Sequence, residues 1–142
     1  MLEQTETSSK KTEQLSIPVC AAVIKKEDSF LLAQRSFSSH LGGKWEFPGG
    51  KINEGETHWD CLKRELFEEL CVIPTQYKYI TTVHHSYGTK TVILHFYHCT
   101  LPADCTIHPQ EHEQIAWLTL PELISLDLAE ADKKFVRHIT AG

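Results

Sequence analysis

The sequence predicts an α/β sandwich with a mixed β-sheet, and three observations predict it. Short apolar runs with strand alternation recur along the chain, a strongly amphipathic helical segment sits near the middle, and a second amphipathic helix closes the chain. With 142 residues and 41% hydrophobic content, the chain suits one domain with a real core, needing no disulfide or metal staple to fold. The expected division is a polar tail over residues 1–15 and a single domain over 16–142.

Ile17–Lys26 is rich in Val, Ile and Ala, and Ser29–Arg35 continues with Phe-Leu-Leu-Ala-Gln-Arg. The polar Lys-Lys-Glu-Asp between them suits a turn, so the pair reads as a β-hairpin. Trp45–Ile52 reads as a short strand broken by Pro48-Gly49-Gly50. Thr57 is a good N-cap, with Asp60 three positions on, and Trp59, Leu62, Leu66 and Leu70 mark a buried stripe at helical spacing. Pro74 is the expected stop. Tyr77–Tyr87 and Thr89–Leu101 read as strands around Gly88, and in the second Val92, Leu94 and Phe96 face opposite to Ile93, His95 and Tyr97. A loop over Pro102–Gln114 leads to a strand from Ile115, then to Pro121, a favoured first helical residue. The last helix is expected over Ala129–Ile139.

Composition narrows the function classes. A net charge of −5 argues against a nucleic-acid polymer as partner, since such binders present a basic face. It leaves room for a small anionic ligand, because a bound divalent cation reverses the local sign. Five cysteines, odd in number and without a C-x-x-C pair, read as free thiols in a reducing compartment. The pairs His84-His85 and His95/His98 lack further ligands at zinc spacing and read as structural or solvent-facing. The N-terminus has no apolar stretch of a secretory signal, and the longest aliphatic run, Val19–Ile24, is too short to span a bilayer. The expectation is a cytoplasmic protein with no membrane association and no obligate protein partner.

The chemistry concentrates on one helix. Six carboxylates fall between Glu54 and Glu69, although like charges three or four apart destabilise a helix by roughly 0.2–0.5 kcal/mol per pair. Glu65, Glu68 and Glu69 project from one face, about a third of a turn from the apolar stripe, so the core does not require them. Such a face is either solvated or completed by a cation. Hard divalent ions such as Mg²⁺ and Mn²⁺ take carboxylate oxygens and keep several waters. Glu56 could orient Arg64, and Arg64 could neutralise or orient one of the trio.

The combination of Gly50, Glu56, Arg64, Glu65, Leu66, Glu68, Glu69 and Val72 resembles the signature of the Nudix hydrolases, G-x5-E-x7-R-E-U-x-E-E-x-G-U with U a bulky aliphatic. Every position matches except the last glycine, where Cys71 stands. A cysteine there either adopts the left-handed cap at a penalty of roughly 1 kcal/mol or ends the helix with a different turn. L-L-A-Q-R, G-K-W-E-F-P-G-G-K and A-W-L-T-L resemble the MutT-like branch. The resemblance implies a Nudix-type α/β/α sandwich.

It also implies Mg²⁺- or Mn²⁺-dependent hydrolysis of a nucleoside triphosphate to the monophosphate and pyrophosphate. Glu68 and Glu69 then resemble the principal metal ligands with the Gly49 carbonyl, and Glu65 a further ligand and the water-activating base. Other branches draw the base from a distal loop, occupied here by Glu111 and Glu113; Glu111 best matches an additional ligand. Arg35 resembles a phosphate- or base-contacting arginine. Asp132 stands where the branch that removes 8-oxo-dGTP reads the base with asparagine, and an ionised aspartate accepts hydrogen bonds only. It suits an exocyclic amine such as cytosine N4, or guanine's N1–H and N2 edge; its alternative is an exposed helix-start residue. Phe47, Tyr87 and Phe96 could flank a base, or belong to the core. The expected substrate is an oxidised nucleotide, with CTP or methyl-dCTP, ADP-ribose or a dinucleoside polyphosphate as alternatives. A silent nucleotide-binding module is the alternative of another class.

Overall fold

The computed structural model describes residues 15–141. Apart from Leu15, which opens a strand, the expected tail lies outside the described residues. The elements run β1 Leu15–Val23, β2 Lys25–Lys26, β3 Ser29–Gln34, β4 Trp45–Glu46, β5 Gly49–Lys51, α1 His58–Leu70, β6 Gln76–Tyr87, β7 Lys90–Thr100, β8 Gln114–Thr119, α2 Leu120–Ile124 and α3 Glu130–Ala141.

They form two sheets where the sequence suggested one. A mixed sheet has the order β5-β1-β7-β6, with β1 and β7 parallel. An antiparallel sheet joins β2, β3 and β4, with β8 also paired to β3. Two apparently continuous strands change sheets. Val23 pairs with His98 of β7, but Lys25 pairs with Phe30 of β3, and the Leu31 N–H takes the Ile24 carbonyl at 2.9 Å. The expected hairpin therefore shrinks to its last residues. Trp45–Ile52 divides likewise: Glu46 pairs with Ala33, whereas Gly49 pairs with Ala21. Between them Pro48 has no N–H to donate to either ladder, and its carbonyl accepts from Ala22 at 2.7 Å.

The run Val-Cys-Ala-Ala-Val-Ile lacks polar alternation because β1 is covered on both faces. Ala21 and Val23 pack with Phe47, Leu94, Phe96 and Phe135, while Cys20, Ala22 and Ile24 pack with Cys61, Leu62, Leu66 and Leu70 of α1. α3 closes the first of these cores through Phe135, stacked on Phe96 with ring centroids 4.0 Å apart.

Thr57 caps α1 by accepting the Asp60 N–H at 3.0 Å. The helix ends at Cys71, not at Pro74: Cys71 takes the left-handed conformation with φ 60° and ψ 34°, and its N–H is directed at Leu66 and Phe67 carbonyls. The glycine-like geometry persists without the glycine. Pro121 is the second residue of α2 rather than the first, because Thr119 is the cap and shares a capping box with Glu122.

Candidate active site

A cavity of about 400 Å³ opens beside β1, with Gly49 and Gly50 at one part of its wall and Asp132 at another. Its two ends are built differently.

At the first end, α1 presents its acidic face to β5. Arg64 is the hub. Its Nε donates to Glu56 Oε2 at 2.7 Å, Nη2 to Glu56 Oε1 at 3.0 Å and to the Lys51 carbonyl at 2.9 Å, and Nη1 to Glu65 Oε2 at 2.8 Å and Glu68 Oε1 at 3.3 Å. Glu56 in turn accepts the Asn53 N–H at 2.9 Å. The Arg64 guanidinium and that amide hold Glu56 down at about 2, so it stays ionised as the arginine's anchor. The glycine pair is required by close approach: a Cβ at Gly49 would collide with the Cys20 carbonyl, and one at Gly50 with the Glu65 carboxylate.

Glu69 behaves differently from its neighbours. Burial and the adjoining Glu65 carboxyl push it up to about 10, opposed by the Gly49 amide. Its Oε1 is buried without a hydrogen-bond partner. Among the described residues, no three His, Cys, Asp or Glu side chains converge as a metal site: Arg64 holds Glu65 and Glu68, and Glu111 lies in the exposed loop. The donor set nevertheless fits a hard divalent cation. It consists of carboxylate oxygens, one of them buried and unsatisfied, beside a backbone loop cleared of side chains.

At the second end, a parallel bridge between Trp45 and Leu128 brings the start of α3 against β4. Asp132 is thereby buried, 4% exposed, and not the exposed helix-start residue that its position also allowed. Its Oδ1 accepts the Phe47 N–H at 3.0 Å. Burial, reinforced by the Glu46 charge, raises its carboxyl well above the usual aspartate range. That direction disfavours the ionised form, and a neutral carboxyl donates as well as accepts, in contrast to the ionised acceptor expected from sequence. Phe47 lines the cavity, but its ring belongs to the core, edge-on to Phe30, Phe96 and Phe135. Phe96 is fully buried. Tyr87 lines the cavity, with its hydroxyl accepting the Ala131 N–H at 3.4 Å.

Arg35 also lines the cavity, held by Glu46 at 3.2 Å and the His40 carbonyl at 2.7 Å. Glu113 is turned to another partner, its Oε2 accepting the Phe37 N–H at 3.2 Å. Two residues not singled out from sequence join the ends. Glu46 binds Arg35 and lines the cavity, and His112 Nε2 lies 3.4 Å from Glu46 Oε2 and 3.7 Å from Glu69 Oε1. Glu46 sits inside the W-E-F-P-G-G stretch and His112 follows Glu111, so each was adjacent to a quoted motif, but pairing across such separations is invisible to spacing.

Comparisons with known proteins agree with this fold. The NUDIX domain pattern matches residues 15–139. The CTP pyrophosphohydrolase of Escherichia coli is 34% identical over 116 residues, covering 82% of this chain and 85% of that protein. The 8-oxo-dGTP diphosphatase of Proteus vulgaris is 38% identical over 86 residues, 60% of this chain and 77% of the relative. Among solved structures, the E. coli ORF135 protein superposes with a TM-score of 0.77 at 32% identity, covering 90% of this chain and 91% of that one. A MutT protein from Methanosarcina mazei gives 0.78 at 26% identity, covering 91% and 96%. With the glycine loop, the Arg64-centred carboxylates and a match spanning the described fold, this chain belongs to the Nudix hydrolase family.

Proposed function

We propose that the protein hydrolyses a nucleoside triphosphate to the monophosphate and pyrophosphate with Mg²⁺, preferring an oxidised purine nucleotide. The observation that carries the reading is the single cavity shared by the Gly49-Gly50 loop and the buried Asp132. It offers a phosphate end and a base end to one ligand.

Glu68, Glu69 and Glu65, with the Gly49 carbonyl, would hold the cation. Bound there, Mg²⁺ supplies charge neutralisation on phosphate oxygens and a more acidic water. The proton that burial favours on Glu69 must leave before that carboxylate ligates. Arg64 keeps Glu65 and Glu68 on the same face, and Glu56 keeps Arg64 in place. Glu65 is the proposed proton acceptor from water. It lies against Gly50, at the cavity wall, whereas Glu111 stands in the exposed loop and Glu113 is engaged with Phe37.

At the base end, a protonated Asp132 places one donor beside one acceptor. An 8-oxopurine shows the matching pair on its N7–H and O6 edge, where unmodified guanine shows two acceptors. Cytosine shows the same pair at N3 and N4. That match, with the 34% identity to a CTP pyrophosphohydrolase, supports a second reading in which a cytidine triphosphate is preferred.

A substrate panel tests both. Turnover of 8-oxo-dGTP, dGTP, CTP, 5-methyl-dCTP, ADP-ribose and a dinucleoside polyphosphate is measured side by side, with product identity. A triphosphate is expected to win and to release pyrophosphate. A large preference for ADP-ribose or a dinucleotide would refute the triphosphate assignment, and CTP above 8-oxo-dGTP would select the second reading.

A further inference from the structure

The acidic end and the base end are bridged by one imidazole. His112 is almost fully buried, its side chain 8% exposed, although it belongs to the loop before β8. Its Nε2 faces two carboxylate oxygens, Glu46 Oε2 at 3.4 Å and Glu69 Oε1 at 3.7 Å. A hydrogen on Nε2 would serve either oxygen. The first distance is a long hydrogen bond and the second lies just beyond one, so a small movement of either glutamate changes which oxygen His112 serves. Arg35 Nη1 donates to both Glu46 oxygens, Oε1 at 3.2 Å and Oε2 at 3.4 Å. Glu69 Oε1 has no hydrogen-bond partner, and neither has His112 Nδ1. A continuous path thus runs Arg35–Glu46–His112–Glu69, from the cavity wall to the acidic face of α1.

We propose that His112 is a positioning residue that orients Glu69 for the divalent cation and couples cation affinity to occupation of the cavity beside Arg35 and Glu46. The inference rests on the Nudix hydrolase reading given above. Buried ligating carboxylates need an outer hydrogen-bond donor to fix their orientation, and loss of such a donor typically lowers metal affinity 10–100-fold. His112 Nε2 is a side-chain donor facing Glu69 Oε1, at 3.7 Å. Coupling follows because the same N–H serves Glu46: a nucleotide that draws Glu46 toward Arg35 leaves the donor to Glu69, and by linkage a cation on Glu69 favours that state of the cavity.

The test is direct Mn²⁺ titration of the whole protein, followed by electron paramagnetic resonance, with and without a non-hydrolysable nucleoside triphosphate. His112→Leu is expected to bind Mn²⁺ about tenfold more weakly than wild type and to lose the tightening that the nucleotide produces. His112→Gln, whose amide nitrogen reaches the place of Nε2, should recover most of both effects. His112→Asn, whose amide reaches only the place of Nδ1, should not. A merely structural role would make the Gln and Asn variants alike, and that result overturns the proposal, as does wild-type affinity in His112→Leu. Where His112→Leu fails to fold, the Gln and Asn pair decides alone. Glu68→Gln separates the underlying reading. If wild type and Glu68→Gln bind Mn²⁺ equally weakly, the cation site itself falls and the role of His112 with it. If only Glu68→Gln is impaired, the site stands and the role of His112 does not.

Discussion

At the acidic end of the cavity, the clustered carboxylates come from Glu56–Glu69, and one arginine gathers three of them, Glu56, Glu65 and Glu68, together with the Lys51 carbonyl of the preceding strand. At the base end, Arg35, Glu46 and Asp132 come from three distant segments, joined by the Phe47 amide, the Trp45–Leu128 bridge and one ion pair. The first end is charged and partly open to water, with Glu68 54% exposed. The second is dry at its carboxyl. The difference teaches a division of labour. A local cluster can supply general phosphate chemistry, while selection of one base requires groups whose placement, and protonation, depend on the whole fold.

The largest effect should come from the acidic end. Glu69→Gln removes a proposed cation ligand but preserves shape, so turnover should fall at least about a hundredfold for every nucleotide. The same change should raise the melting temperature at pH 8. A carboxyl whose folded pKa is raised loses folded-state stability as pH climbs from its unfolded value toward about 10, and glutamine escapes that loss. Lower activity together with a lower Tm at pH 8 would contradict the account of Glu69.

A smaller effect is expected at the base end. Asp132→Asn keeps an acceptor for the Phe47 N–H and removes the titrating group. Its amide also sets a donor beside an acceptor, as the protonated carboxyl does, so the ratio of kcat/KM between 8-oxo-dGTP and CTP should stay near the wild-type value. Asp132→Leu, which removes both groups, should change that ratio by about tenfold, the scale of one hydrogen bond. Stability should shift too. Because the folded carboxyl is raised, wild type weakens as pH rises above the ordinary aspartate value, whereas Asp132→Asn does not. Melting curves from pH 4 to 8 should therefore diverge toward high pH, with the variant above. Parallel curves would mean that Asp132 is ionised in the fold.

The smallest effect lies outside both ends. Cys71 occupies a left-handed position that glycine adopts freely. Cys71→Gly should stabilise the protein by up to about 1 kcal/mol, or roughly 2–4 °C, with turnover unchanged. A destabilised Cys71→Gly would show that the Gln110 contact with the Cys71 sulfur, at 3.3 Å, outweighs the backbone strain.

Legibility in the sequence follows the same contrast. The fixed spacing of Glu56, Arg64, Glu65, Glu68 and Glu69 could be placed on one helix face before any coordinates, because helical geometry is local. The α/β architecture and the Thr57 cap were legible for the same reason. The division into two sheets was not, since the chain changes partners inside apolar runs at Ile24 and Phe47-Pro48, where hydropathy is continuous. Phe47 could be named for the cavity, but its ring is core and its polar part is the amide that fixes Asp132. The protonated state expected for Asp132, and the bridging place of His112, arise only from burial beside Glu46. Neither leaves a periodic trace.

The division of labour is tested most directly by one kinetic comparison: kcat/KM for 8-oxo-dGTP and for CTP in wild type, Glu69→Gln and Asp132→Leu, with Mn²⁺ affinity measured on the same preparations. The account predicts that Glu69→Gln lowers both rate constants alike and weakens Mn²⁺ binding, while Asp132→Leu changes the ratio and leaves Mn²⁺ affinity at the wild-type value. An unchanged ratio in Asp132→Leu, or an altered one in Glu69→Gln, would contradict it.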